Sequence, residues 1–256
     1  MPNPIEILTD PLSLIVLAMY AALWTWEKLA PARSLPAVRG WWLKGLAAFF
    51  AFFFLSTYLP LFWDTYLAPY QLLDMTGLGT WGGGAVGLVV YETVAYGWHR
   101  AMHGSNLLWR GFHQMHHSSE RLDVASAYWF SPMDMVGWTA VGSVALVLGV
   151  GVTPQAATLV LLTTTFLAVF QHANIATPRW LGYFVQRPEM HSVHHGRGVH
   201  RYNYADLPVF DMVFGTFRNP ATFTAATGFY DGASARVTDM VLMRDVSRPP
   251  AHREAA

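Results

Sequence analysis

Apolar residues fall into five long runs, separated by short breaks that carry charge, proline or glycine. The runs 11–28, 42–64, 81–98, 133–151 and 154–171 approach or reach the length of about 20 residues that a helix needs to cross a bilayer core. The first has no basic leader and no small-residue cleavage site, and it closes on Glu27 and Lys28, so it predicts a retained helix and not a signal peptide. The third follows a glycine-rich entry, Gly82 to Gly84, and holds Glu92 within it. Only Gly151 to Thr153 separates the fourth run from the fifth, which predicts a tight hairpin. No comparable run follows. Residues 219–256 are more polar: VTDMVLMRDV predicts a short amphipathic helix and SRPPAHREAA a disordered tail. The expected architecture is all-α, one integral membrane domain over 1–256 with four to five spans. A histidine-rich helical cap is expected from 99–131 and 172–218.

Composition sharpens this picture. Hydrophobic residues make up 53% of the chain and charged residues 12%, against about 25% charged in soluble domains. The formal net charge is zero, so nothing global points to a nucleic-acid partner. There is no cysteine, which excludes disulfides, thiolate-bound zinc, iron–sulfur clusters and a cysteine nucleophile. Basic residues also orient the chain. Lys28, Arg33, Arg39 and Lys44 flank the first loop, whereas 64–80 holds Asp64 and Asp74 without Lys or Arg. The positive-inside rule then puts the first loop in the cytoplasm, and counting spans brings the ends of the third and fifth runs to the same face.

Histidines collect at those ends. His99 and His103 stand four apart; His113, His116 and His117 follow at offsets of three and four, and His191, His194 and His195 repeat that pattern. Such offsets put each group on one helix face, and imidazole is the commonest protein ligand for transition metals. His172, at the end of the fifth run, converges on the same side. Eight or nine histidines exceed the three or four that one zinc takes, so two ions are expected. Neither HExxH nor HxxEH occurs, and no acid stands three residues before a histidine, which argues against zinc proteases and carboxylate-bridged di-iron bundles. A histidine-dominated pair of irons remains, with zinc the alternative ion in isolated protein. Glu92, two turns before His99, is a candidate for orienting a ligand, and Glu120, Asp123, Glu189 and Asp211 are candidates for fixing imidazole tautomers. His200 stands off the helical face of His195 and is left open as a ligand; His252, in the polar tail, is given no part in the site.

The succession HRAMH, HQMHH followed by SSE, HSVHH and NYADLPVFDMVFGTF resembles the fatty acid hydroxylase/sterol desaturase superfamily of membrane di-iron oxygenases, over about 92–217. Carried over residue by residue, the resemblance assigns His99, His103, His113, His116, His117, His191, His194 and His195 to the family's histidine core, and His172 to an additional histidine near the last membrane helix. It sets Glu92 in the acidic slot before the first box and Asp211 in the acid of a tryptophan–aspartate pair, with Asn203 a further candidate around the ligands. The chain departs from the pattern at Ala205 and Asp206, where glycine is common, at Phe210, where tryptophan is usual, and at Ser131, where a histidine often precedes the proline.

The resemblance implies oxygen as co-substrate and a membrane lipid (acyl, sterol or other isoprenoid, or ether lipid) that is hydroxylated or desaturated. No catalytic side chain is expected beyond the metal ligands. No electron-transfer motif is appended, so an external donor, a ferredoxin, cytochrome or reductase, is expected. Tyr128, Trp129 and Phe130 are candidates to line a substrate groove. A bacterial inner membrane is the expected location, with the metal site facing the cytoplasm. Two other readings compete: a metal transporter, whose ligands belong near the bilayer midplane, and a metal-binding relative without catalysis.

Overall fold

A computed structural model describes residues 1–250. The predicted disordered tail lies mostly beyond it, as does His252. Among the described residues the chain is helical, without a β-strand. A short α1 (Pro4–Thr9) is closed by a reciprocal cap between Asn3 and Glu6, a feature that the apolar runs did not predict. It leads into α2 (Pro11–Leu29), α3 (Trp41–Leu67) and α4 (Gly79–Gly104). Two short helices, α5 (Asn106–Leu108) and α6 (Gln114–His117), are joined by a π-helical turn over Trp109–His113. Then come α7 (Pro132–Ser143), prolonged by a second π-turn over Val144–Gly149, and α8 (Pro154–His172). The cap is completed by α9 (Pro188–His194), α10 (Val209–Val213) and α11 (Val237–Val241).

Among the described residues four helical segments are long and apolar enough to cross a membrane: Pro11–Leu29, Trp41–Tyr70, Pro132–Gly149 and Pro154–His172. The protein is thus an all-α membrane bundle. The glycine-rich entry lies inside α4, not before it. Its purpose is packing, since a Cβ on Gly84 would come within 2.9 Å of the Leu159 side chain on α8. The 151–153 gap turns on Gly151, whose φ of 52° suits glycine, and Thr153 caps α8 through the Ala156 amide at 3.2 Å. Asp64 is a residue of α3 rather than of the following loop. That loop folds back, with Leu72 N donating to the Leu148 carbonyl at 2.7 Å.

Bundle and cap are tied by buried polar groups. Glu27, 4% exposed, accepts from the backbone amides of Val124 at 2.8 Å and Asn174 at 2.9 Å. The charge that closes the first apolar run is thereby a structural clasp. The C-terminal segment forms the five-residue α11, shorter than the predicted stretch, and buries Met240.

Candidate metal centre

The three histidine-bearing stretches converge, and the nine rings sort into two groups. His99, His103, His113, His117 and His194 form one; His116, His172, His191 and His195 form the other. Within each group the candidate ligand atoms lie within 4.8 Å of one another. The second and third boxes are split between groups: His116 and His117 part company, and so do His194 and His195, whereas His99 and His103 stay together. The groups touch where the His117 and His195 rings stack, 4.2 Å apart and 11° from parallel. In both boxes the histidines four apart share a group, His113 with His117 and His191 with His195, while the one at offset three, His116 or His194, turns to the other.

In the five-membered group the inner nitrogens face one another. The Nε2 atoms of His99 and His113 are 3.0 Å apart, and those of His103, His117 and His194 are buried without a partner. The outer nitrogens are engaged. His99 Nδ1 lies 2.7 Å from the Tyr204 carbonyl, His194 Nδ1 2.7 Å from the Tyr202 carbonyl, and His113 Nδ1 3.0 Å from Asp134 Oδ2. His117 Nδ1 is 3.1 Å from His200 Nδ1, and the His200 backbone faces His103. A carbonyl or carboxylate facing Nδ1 accepts a hydrogen bond from Nδ1–H, which leaves the Nε2 lone pair pointing inward. In the four-membered group the Nε2 contacts run His116–His172 at 3.1 Å, His172–His191 at 3.0 Å and His191–His195 at 3.1 Å. His172 Nδ1 is 2.6 Å from the Ala168 carbonyl, and His191 Nδ1 3.0 Å from the Gln186 amide. The outer nitrogens of His116 and His195 have no partner.

Paired nitrogens without a donor between them are what a shared cation accommodates. Ligands at about 2.1 Å from one ion and at right angles to each other stand about 3.0 Å apart, which matches these edges. Burial, and after it the neighbouring imidazoles, hold His113, His116, His117, His191, His194 and His195 well below the ordinary histidine range. Neutral imidazoles are the form that binds metal. The residues present therefore fit two metal ions, one to a group.

The second layer differs from the expectations. Glu92 reaches no imidazole; its Oε2 accepts from the Leu207 amide at 3.1 Å. Asp211 accepts from the Tyr204 amide at 2.9 Å and the Ala205 amide at 3.0 Å, and Asn203 binds the Met190 carbonyl at 2.9 Å and the Arg218 amide at 2.7 Å. These three hold the loop whose carbonyls meet the histidines, one step further out than predicted. Glu120, Asp123 and Glu189 also turn elsewhere, to Ser234, to Trp41 and Arg121, and to Thr177 and Arg187. The carboxylate that does reach a ring, Asp134, was not among the candidates. Ser131 caps α7 through the Asp134 amide at 3.1 Å and donates to the Gly111 and Phe112 carbonyls, locking Asp134 beside the π-turn.

The carbonyl collar also escaped prediction. His200, Tyr202 and Asn203 have φ of 43°, 72° and 49°, a conformation rare outside glycine and tolerated best by asparagine. The strain falls there and not at Ala205, so alanine fits where a glycine was expected. Phe210, in the tryptophan's place, lies 6.3 Å from Tyr96 at a near-parallel 28°. His200 stands outside both groups, as the partner of His117.

A cavity of about 280 Å³ adjoins both clusters, with His99, His113, His116, His172 and His191 among its lining residues. Phe52, Ser56, Pro60 and Asp64 line it at four-residue spacing along α3, a reach of about 18 Å at 1.5 Å per residue. Tyr128 and Phe130 line it as predicted, but Trp129 does not: its indole donates to Ser118 at 3.3 Å and its ring packs on Trp41. Asp206 joins the wall, bonded by Gln171 at 2.8 Å, and Gln171 in turn meets Gln186 next to His191. Burial pushes the Asp206 carboxyl up to about 7.

A helical membrane bundle carrying paired imidazole clusters beside an apolar cavity defines a class of membrane protein. Comparison places the chain within it: residues 84–216 match the fatty acid hydroxylase family, and the chain belongs to that family. It is also 32% identical over 139 residues to the ornithine lipid hydroxylase OlsE of Rhizobium tropici. That alignment covers 53% of this chain and 41% of the relative. No solved structure matches the chain.

Proposed function

We propose that the protein is a membrane lipid hydroxylase whose nine clustered histidines hold two irons. The observation that carries this reading is the pairing of two inward-facing imidazole groups with a cavity that five of their rings line. Irons held by neutral nitrogens with open positions would supply oxygen reduction and attack on an unactivated C–H bond.

The chain's own residues do the rest. The Tyr202 and Tyr204 carbonyls and Asp134 fix the tautomers of His194, His99 and His113. The apolar wall excludes water and takes up a lipid chain, gaining about 0.8 kcal/mol per buried methylene. With its carboxyl pushed up to about 7, Asp206 is suited to hold or release a proton at the cavity wall close to neutral pH. Two electrons must arrive from an external ferredoxin, cytochrome or reductase. The basic first loop supports a cytoplasmic cap and, with a bacterial relative, an inner-membrane location. Helix α4, 26 residues long, serves as a fifth crossing packed within the bundle.

The substrate is a lipid that enters laterally, and the ornithine lipid that names the relative is the first to test. Purified protein in detergent, given oxygen and a reducing system, is expected to add one oxygen atom to such a lipid, read by mass spectrometry with labelled oxygen. Label appearing in no lipid across ornithine, acyl and sterol panels would refute the assignment. A metal transporter is disfavoured because the rings gather at helix ends and in the cap instead of mid-span.

A further inference from the structure

A second cavity, about 440 Å³, adjoins the one that the histidines line. Five residues line both: Phe52 and Ser56 on α3, Tyr128 on the segment before α7, and Leu161 and Thr165 on α8. The two spaces are therefore neighbours across these side chains, an inner chamber with cluster histidines in its wall and an outer one without any. Helix packing explains why space persists there. α8 packs on α2 and α4, and α3 packs on α7, but α3 and α8 are not closely packed on each other. Aromatic rings stand along the α3 side of the gap: Tyr128 stacks on Phe52 at 5.0 Å and 25°, and Phe49 is 5.9 Å from Tyr128.

The outer chamber is walled by α1, the first half of α2, α3 and α8. Among its lining residues Leu12, Leu61 and Leu161 are 44%, 50% and 45% exposed, open toward the hydrocarbon in which these spans lie. Ser56 and Leu161 fall near the middle of their helices, so the neck between the chambers sits at the depth of acyl chains and not of headgroups. A charged group would be costly at that depth. Of the five neck residues Leu161 is the most exposed and Tyr128, at 6%, the least. Leu161 is thus the side chain free to turn aside, and Tyr128 the fixed edge.

We propose that the outer chamber is the mouth of the inner one. When substrate is bound, an acyl chain lies through the neck, one part beside the histidines and the rest running out between α2, α3 and α8 into the bilayer. The proposal rests on the lipid reading of the inner chamber and adds the route and the part of the lipid that takes it.

The test is photolabelling of the full-length protein in nanodiscs, with phosphatidylglycerols that carry a diazirine at successive positions of one acyl chain, and labelled residues mapped by mass spectrometry. Between them the probes should mark Ile7 and Leu12 in the outer chamber and Trp138 and Leu146 in the inner one. The chain has no cysteine, so the neck can be plugged after folding. Thr165→Cys and Leu161→Cys, once reacted with a pyrene maleimide, should lose inner labelling tenfold or more and keep outer labelling. Phe166→Cys, on the same helix but lining neither chamber, should keep both after the same reaction. Inner labelling that survives complete modification of both neck cysteines would overturn the route while leaving the lipid reading intact. Failure of both cysteines to react would overturn it equally, because the neck would then be closed to an apolar probe. No inner labelling in the unaltered protein would overturn the route and the lipid reading together.

Discussion

The two histidine groups are built to different standards. In the five-membered group every ring has a protein group against its outer side, from the carbonyls of the 200–204 loop, from Asp134 or from His200. In the four-membered group only His172 and His191 are held this way, and His116 and His195 leave Nδ1 unpartnered. Ligands with fixed tautomers lose less freedom on binding, and outer partners commonly change metal affinity by about 10–100-fold. The first site is therefore preset and the second adaptable, an arrangement that suits one tightly kept ion and one that adjusts its ligation.

The largest effects come from the histidines that adjoin in sequence but separate in space. His194→Ala and His195→Ala should each lose about half of the bound metal, by elemental analysis, and each should abolish hydroxylation. Loss of all metal in both would mean a single shared site. A chelator should then strip the ion remaining in His194→Ala, held by the four-membered group, before the one remaining in His195→Ala. The reverse order would break the comparison.

Asp134→Asn comes next. It removes the carboxylate from His113 and should weaken only the five-membered site, by about 10–100-fold in a metal competition assay. An equal loss at both sites would show that Asp134 acts on the fold at large. Acid should act on both groups. The unfolded chain's histidines protonate near pH 6.5, whereas burial holds folded His200 at about 4 and the clustered rings well below their usual range. Between those values the unfolded state binds more protons, so stability and metal retention are present above about pH 6.5 and fall as the pH drops toward 4. A melting temperature flat from pH 7 to about 4 would contradict this. The smallest effect is expected away from the cap. Gly84→Leu, which overpacks α4 against Leu159, should cost about 1–3 kcal/mol yet leave metal stoichiometry intact.

What could be read from the chain follows the reach of each interaction. The apolar runs and the histidine offsets are local patterns, so the helices and the convergence of the three histidine stretches were legible. How HQMHH and HSVHH divide between two groups was not, because which group each helix face meets depends on how the three stretches dock against one another. Asp134 meets His113 across 21 residues of chain through the Ser131 cap, a contact with no spacing signature. A serine and proline read as a missing histidine were in fact its only sequence signal. The carbonyl collar has no side-chain identity at all; Asn203 between two tyrosines was the one hint of left-handed backbone. Glu92 and Asp211 were found by position but assigned to rings, when each holds a backbone amide of the collar loop.

The central claim is that one chain holds two metal ions in separate imidazole groups. The most direct measurement is the metal content of detergent-purified protein expressed with ample iron, alongside His116→Ala. About two irons per chain are expected, falling by half in the variant as the four-membered site empties. A single ion per chain, or none, would contradict the claim.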